Sequence, residues 1–96
     1  MPADVDDNFY ERADAHINLS NDQMEGATRG KVSASMLYGV SRFNAWVSAC
    51  GFKSGTQMRE ARAQTIEYFT EQYKKMLSEN IDDYIEHFEK YMKTDH

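Results

Sequence analysis

A chain of 96 residues with 28% charged and 41% hydrophobic residues and a net charge of −5 has material for one small hydrophobic core. It holds no apolar run long enough for a membrane span, its start Met1-Pro2-Ala3-Asp4-Val5-Asp6-Asp7 is acidic where a secretory leader is basic and then apolar, and its single cysteine, Cys50, supplies neither an internal disulfide nor a cysteine-based zinc site. These features predict a cytoplasmic protein with one helical domain over 1–96, residues 1–6 disordered and 93–96 frayed, and no membrane partner.

The charge is segregated along the chain. Residues 1–26 carry seven acids against Arg12 (net −6), residues 27–62 six bases against Glu60 (net +5), and residues 63–96 eight acids against four lysines (net −4). A basic middle between acidic ends favours packing the centre against both flanks, although surface ion pairs each contribute only about 0–1 kcal/mol. An acidic chain is a poor general binder of nucleic acid, so no nucleic-acid partner is expected.

The first predicted helix runs from residue 7 to about 22, with Asp6 or Asp7 as its cap and Phe9, Tyr10, Ala13, Ile17 and Leu19 as its apolar positions. Gly26-Ala27-Thr28-Arg29-Gly30 reads as a connection. The central helix over 31–50 has an apolar stripe of Val32, Met36, Val40, Phe43, Val47 and Cys50 at steps of three and four. Its other side carries Ala34, Tyr38, Ala45, Trp46 and Ala49 with Arg42 as the only charge, which predicts a helix wrapped on two sides. Gly51 is expected to end it in the left-handed conformation, with Phe52 and Val47 making a Schellman contact, so that Gly51→Ala costs roughly 1 kcal/mol.

Ser54-Gly55-Thr56-Gln57 matches a capping box and opens a third helix. From Met58 to Met92 there is no proline or glycine, and Ile66, Phe69, Tyr73, Leu77, Ile81, Tyr84, Phe88 and Tyr91 keep a helical period. One continuous helix of roughly 54 Å is the leading expectation. A break near Asn80, within Ser78-Glu79-Asn80-Ile81-Asp82-Asp83, is the alternative, because serine, asparagine and aspartate favour caps and turns. The fold class predicted is therefore all-α, a three- or four-helix bundle with a long C-terminal helix.

The chemical motifs are weak. Gly26 to Gly30 falls one residue short of a phosphate-binding loop, and Lys31 is followed by Val32 where a magnesium-binding hydroxyl is required. What survives is an anion near the free amides at Gly30, against an ordinary loop with solvated charges. Glu79, Asp83 and His87 stack at steps of four, but one helix supplies only part of a metal shell, so a solvated acidic face is the default and no metal or cofactor is predicted. A helix C-terminus disfavours the thiolate of Cys50, which makes a packed thiol the expectation, with His16 hydrogen-bonded or half exposed. Tyr38, Arg42 and Asn44 are the polar residues expected between helices, with Asp14, Glu67 or Glu71 supplying a carboxylate to Arg42.

The runs Phe9-Tyr10-Glu11-Arg12-Ala13-Asp14, Gly30-Lys31-Val32-Ser33-Ala34-Ser35, Arg42-Phe43-Asn44-Ala45 and Glu67-Tyr68-Phe69-Thr70-Glu71-Gln72-Tyr73-Lys74-Lys75-Met76-Leu77 resemble a family of short bacterial proteins described as a domain of unknown function. The resemblance covers most of residues 7–92. It implies a small, all-helical, cytosolic bacterial protein and carries over no catalytic residue.

The function expected is a non-enzymatic association module, a homo-oligomer pairing through Tyr84, Ile85, Phe88, Tyr91 and Met92, since that stretch outruns any cover a three-helix core offers. The alternative is a small-molecule or anion-binding protein using Tyr38, Arg42 and Asn44. No activated nucleophile or acid–base pair points to an enzyme, and no catalytic residue is predicted.

Overall fold

The computed structural model describes residues 5–93, and over them the chain is all α-helix: α1 Phe9–Gln23, α2 Arg29–Ala49, α3 Gly55–Glu60, α4 Arg62–Glu86 and α5 Phe88–Lys93. It divides into two compact units, Met1–Lys53 and Ser54–His96. The disorder expected at 1–6 and the fraying at 93–96 fall mostly outside the described residues, but Asp6 has a defined place.

In the first unit, α1 begins two residues later than its sequence predicts. Neither aspartate caps it: Asn8 holds the cap position without a side-chain hydrogen bond, and the Phe9 amide donates to the Asp6 carbonyl at 3.2 Å. The Asp6 carboxylate instead accepts from the Arg12 guanidinium at 2.7 Å. That hydrogen bond holds the Asp6 carboxyl below the usual carboxylate range and raises Arg12. Stability from Asp6 is thus present above its unfolded-state value and lost as pH falls through the depressed one.

The connection after α1 ends at Thr28, whose side chain caps α2 by accepting from the Lys31 amide at 3.3 Å. Helices α1 and α2 pack together and bury Val32, while the Ser20 hydroxyl donates to the Met36 sulfur at 3.3 Å. Val32 is the one buried hydrophobic residue among those described. The expectation is that α2 is wrapped on two sides; within this unit α1 covers the Val32 side, while Val40 is 43% exposed and Ala45, Tyr38, Phe43 and Trp46 are exposed too. Cys50, expected as a packed thiol, is exposed.

The end of α2 also differs from its sequence reading. No described glycine has a positive φ. The helix closes by tightening, with the Gly51 amide donating to the Ser48 carbonyl at 3.0 Å and the Phe52 amide to Ala49 at 3.1 Å, so these two carbonyls are satisfied without a left-handed residue. A Cβ added at Gly51 would meet the Ser48 carbonyl oxygen at 3.5 Å, an ordinary contact. Gly51→Ala is therefore expected to be neutral or to stabilise by up to about 1 kcal/mol, through a less mobile unfolded chain. Thermal melts of the pair at one protein concentration check this.

In the second unit, Ser54 caps α3 as the capping box predicts, accepting from the Gln57 amide at 3.1 Å. A single residue, Ala61, separates α3 from α4, and a single residue, His87, separates α4 from α5. Asn80 does not break the helix. Its side-chain amide donates to the Met76 carbonyl at 2.8 Å, one turn back, so its polar group is satisfied within helical geometry and α4 runs 25 residues through it. The long C-terminal helix is thus continuous at Asn80 and jointed at Ala61 and His87.

Candidate functional site

Helix α4 puts its apolar residues on one face because they recur at steps of three and four. Ile66, Phe69, Tyr73, Leu77, Ile81 and Tyr84 form the stripe, and Phe88 carries it across the joint into α5. Apart from the half-buried Phe69, each of these side chains is about half exposed, from 43% at Leu77 to 53% at Phe88. Ile85, beside the stripe, is 69% exposed. Of the five residues expected at a partner interface, Tyr84, Ile85 and Phe88 are exposed and Tyr91 and Met92 half-buried.

The polar centre of this region is Asp83. Its carboxylate accepts from the Tyr91 hydroxyl at 3.1 and 3.3 Å and lies 3.0 Å from His87 Nδ1, which also lies 3.2 Å from the Asp83 carbonyl oxygen. Spacing explains the convergence, since residues 83, 87 and 91 are successive turns of one helix face. The Tyr91 ring packs on Tyr84 with centroids 4.8 Å apart and on His87 at 5.7 Å. These contacts fasten α5 to α4 across a residue, His87, whose φ of −112° and ψ of 28° leave the helical range.

The hydrogen bond to Asp83, then burial and the negative charge of that carboxylate, push the Tyr91 hydroxyl above its ordinary value of 10.0. A raised acid contributes its interaction below the unfolded-state value and loses it as pH climbs through the folded one, so this tie is intact at neutral pH and fails in alkali. In a pH titration followed by the Tyr91 ring signals, Asp83→Asn is expected to lower the ionisation midpoint of Tyr91. An unchanged midpoint would separate the hydroxyl from Asp83.

Sequence reasoning grouped Asp83 and His87 with Glu79 as a face of metal-type ligands. The structure joins the first two to Tyr91 instead, and no group of three or more metal-ligating side chains forms among the described residues. The role of Asp83 as a shared acceptor was missed. Its signal was the four-residue step from Asp83 through His87 to Tyr91, which was read only as far as the histidine.

The proposed ligand trio is not assembled. Tyr38 and Arg42 lie one turn apart on α2, both exposed, whereas Asn44 follows Arg42 by two residues and so sits about 200° further round the helix. Arg42 makes no ion pair with Asp14, the candidate carboxylate in its own unit. The requirement for a carboxylate came from expected burial, and an exposed guanidinium is satisfied by water.

Fold and site together define an all-helical protein with a long amphipathic helix and a fastened C-terminal joint. A family model for a protein of unknown function, DUF3144, matches residues 9–85, and the chain belongs to that family. It is similar to a solved structure described as the NMR structure of the protein NB7890A from Shewanella sp., at 35% identity and a TM-score of 0.76, over 96% of this chain and 98% of that one. A search of curated proteins finds no match. No described helix is long and apolar enough to cross a membrane.

Proposed function

We propose that this protein is a non-enzymatic association module that pairs with a second copy of itself along the α4–α5 stripe. The observation that carries the reading is the row Ile66, Tyr73, Leu77, Ile81, Tyr84 and Phe88, each about half exposed on one helix face. At roughly 200 Å² for each large side chain, the row leaves about 600 Å² of apolar surface in water. Two such rows face to face cover about 1,200 Å², the lower end of the range for specific interfaces.

Need supports the same reading. Among the described residues Val32 is the one buried hydrophobic residue and twenty large hydrophobic residues lie more than a third exposed, so a single chain buries little apolar surface to offset its ordering. Tyr91 and Met92, half-buried at the joint, border the row and belong to its C-terminal end.

Sedimentation velocity of the full chain at tens of micromolar tests the proposal, in the range where weak interfaces populate their complexes. A dimer or higher species is expected. A strict monomer at that concentration overturns the reading. The alternative, an anionic ligand held by Tyr38, Arg42 and Asn44, has no observation in its favour.

A further inference from the structure

The joint at His87 is the place where three titratable side chains meet a departure from helical backbone. Asp83 on α4 reaches forward to both His87 and Tyr91, so one carboxylate holds the residue at the joint and the residue one turn beyond it. The backbone hydrogen bond from the Tyr91 amide to the His87 carbonyl, at 3.0 Å, crosses the same joint. We propose that Asp83, His87 and Tyr91 form a proton-controlled clasp that sets how much of the time α5 is docked on the end of α4.

The physical reason lies in what each partner offers the carboxylate. A neutral imidazole gives Asp83 one hydrogen bond from Nδ1, and only in the tautomer with the proton there. A protonated imidazole carries that proton always and adds opposite charge, which makes the bond charge-assisted. Imidazole is the side chain whose charge changes between pH 5 and 8, so mild acid supplies the cation that tightens the clasp. The other charged residues within one turn of His87 are Glu86, Glu89 and Lys90, and Tyr84 and Tyr91 are its titratable aromatic neighbours. Of these, Glu89 is itself paired with Lys93 Nζ at 2.6 Å.

The side chains of His87 and Asp83 are 44% and 45% exposed, so solvent screens the pair and the effect is modest. The docked-to-frayed ratio of α5 is expected to rise about two- to fivefold between pH 8.0 and pH 5.5, the size that exposed ion pairs deliver.

Carbon-13 Cα shifts of residues 88–93 in the labelled full chain read that ratio directly. Wild type should gain helix at 88–93 on acidification, with no matching change at 66–77. His87→Gln keeps a neutral donor and should hold one ratio at both pH values. Tyr91→Phe keeps the ring on Tyr84 but removes the hydroxyl; it should loosen α5 at both pH values while preserving the acid-driven gain. Equal ratios at the two pH values in wild type, or the same gain in His87→Gln as in wild type, overturn the clasp. Because Phe88, Tyr91 and Met92 also border the proposed pairing row, the shifts are compared at one protein concentration; a ratio that changes on dilution at fixed pH reports pairing, and one that changes with pH at fixed concentration reports the clasp.

Discussion

Leu77→Asp is expected to leave the protein monomeric at concentrations where the wild type pairs. Leu77 occupies the middle of the α4 stripe, halfway from Ile66 to Phe88, and is 43% exposed in the single chain. A carboxylate there would lose its water on pairing and find only apolar side chains opposite. Central, fully desolvated positions carry most of an interface's energy, and losing one costs about 2–4 kcal/mol, or roughly 30- to 1,000-fold in dissociation constant. Sedimentation equilibrium measures this directly. Lys75→Glu changes charge on the opposite face of the same helix and should leave pairing within about threefold of wild type. Circular dichroism guards against a trivial result, since an exposed aspartate costs helix only about 0.5 kcal/mol. If Leu77→Asp pairs as tightly as wild type, the α4 seam is not the interface.

The second large effect lies in the first unit. Val32→Ala is expected to destabilise the protein by about 2 kcal/mol, because it removes two methyl groups from the one buried hydrophobic site and leaves a void that α1 and α2 fill only in part. For a domain of this size that lowers Tm by roughly 8–16 °C. Association raises apparent stability by mass action, so all melts belong at one protein concentration. Val40→Ala is the informative companion, the same substitution on the same stripe of α2 where the valine is 43% exposed. A much smaller drop there means that α1 alone holds α2. An equal drop means that the Val40 side of α2 is covered in solution as well.

Local rules were legible because they act within a few residues. Ser54 caps its helix, the steps from Ile66 to Phe88 fall on one helix face, and α4 runs unbroken through Asn80, all from short-range chemistry written in adjacent turns. Two local expectations fail to a physical competitor. Gly51 is expected to take a left-handed end, but a tightened last turn pairs the Ser48 and Ala49 carbonyls instead; Asp6 or Asp7 is expected to cap α1, but Arg12 one turn into the helix offers Asp6 a charged partner.

Burial was not legible. Apolar periodicity states that a helix face wants cover, and it is silent on what supplies it. For α2 that want reads as two neighbours in the same chain, and from there follow a buried Arg42 and a polar trio with Tyr38 and Asn44. With Val40 and Ala45 exposed, both lose their premise at once.

The amino-acid order by itself determined the all-helical class, the apolar face of α4 and the family to which the chain belongs, since each is a matter of spacing along one strand of covalent structure. Only the tertiary structure decided that Val32 is the buried contact between α1 and α2, that the long helix is interrupted at Ala61 and His87, and that Asp83 binds both His87 and Tyr91. Those outcomes depend on which of several polar and apolar partners a side chain meets in space, and competition among partners of nearly equal energy is settled by three-dimensional proximity, which periodicity does not encode.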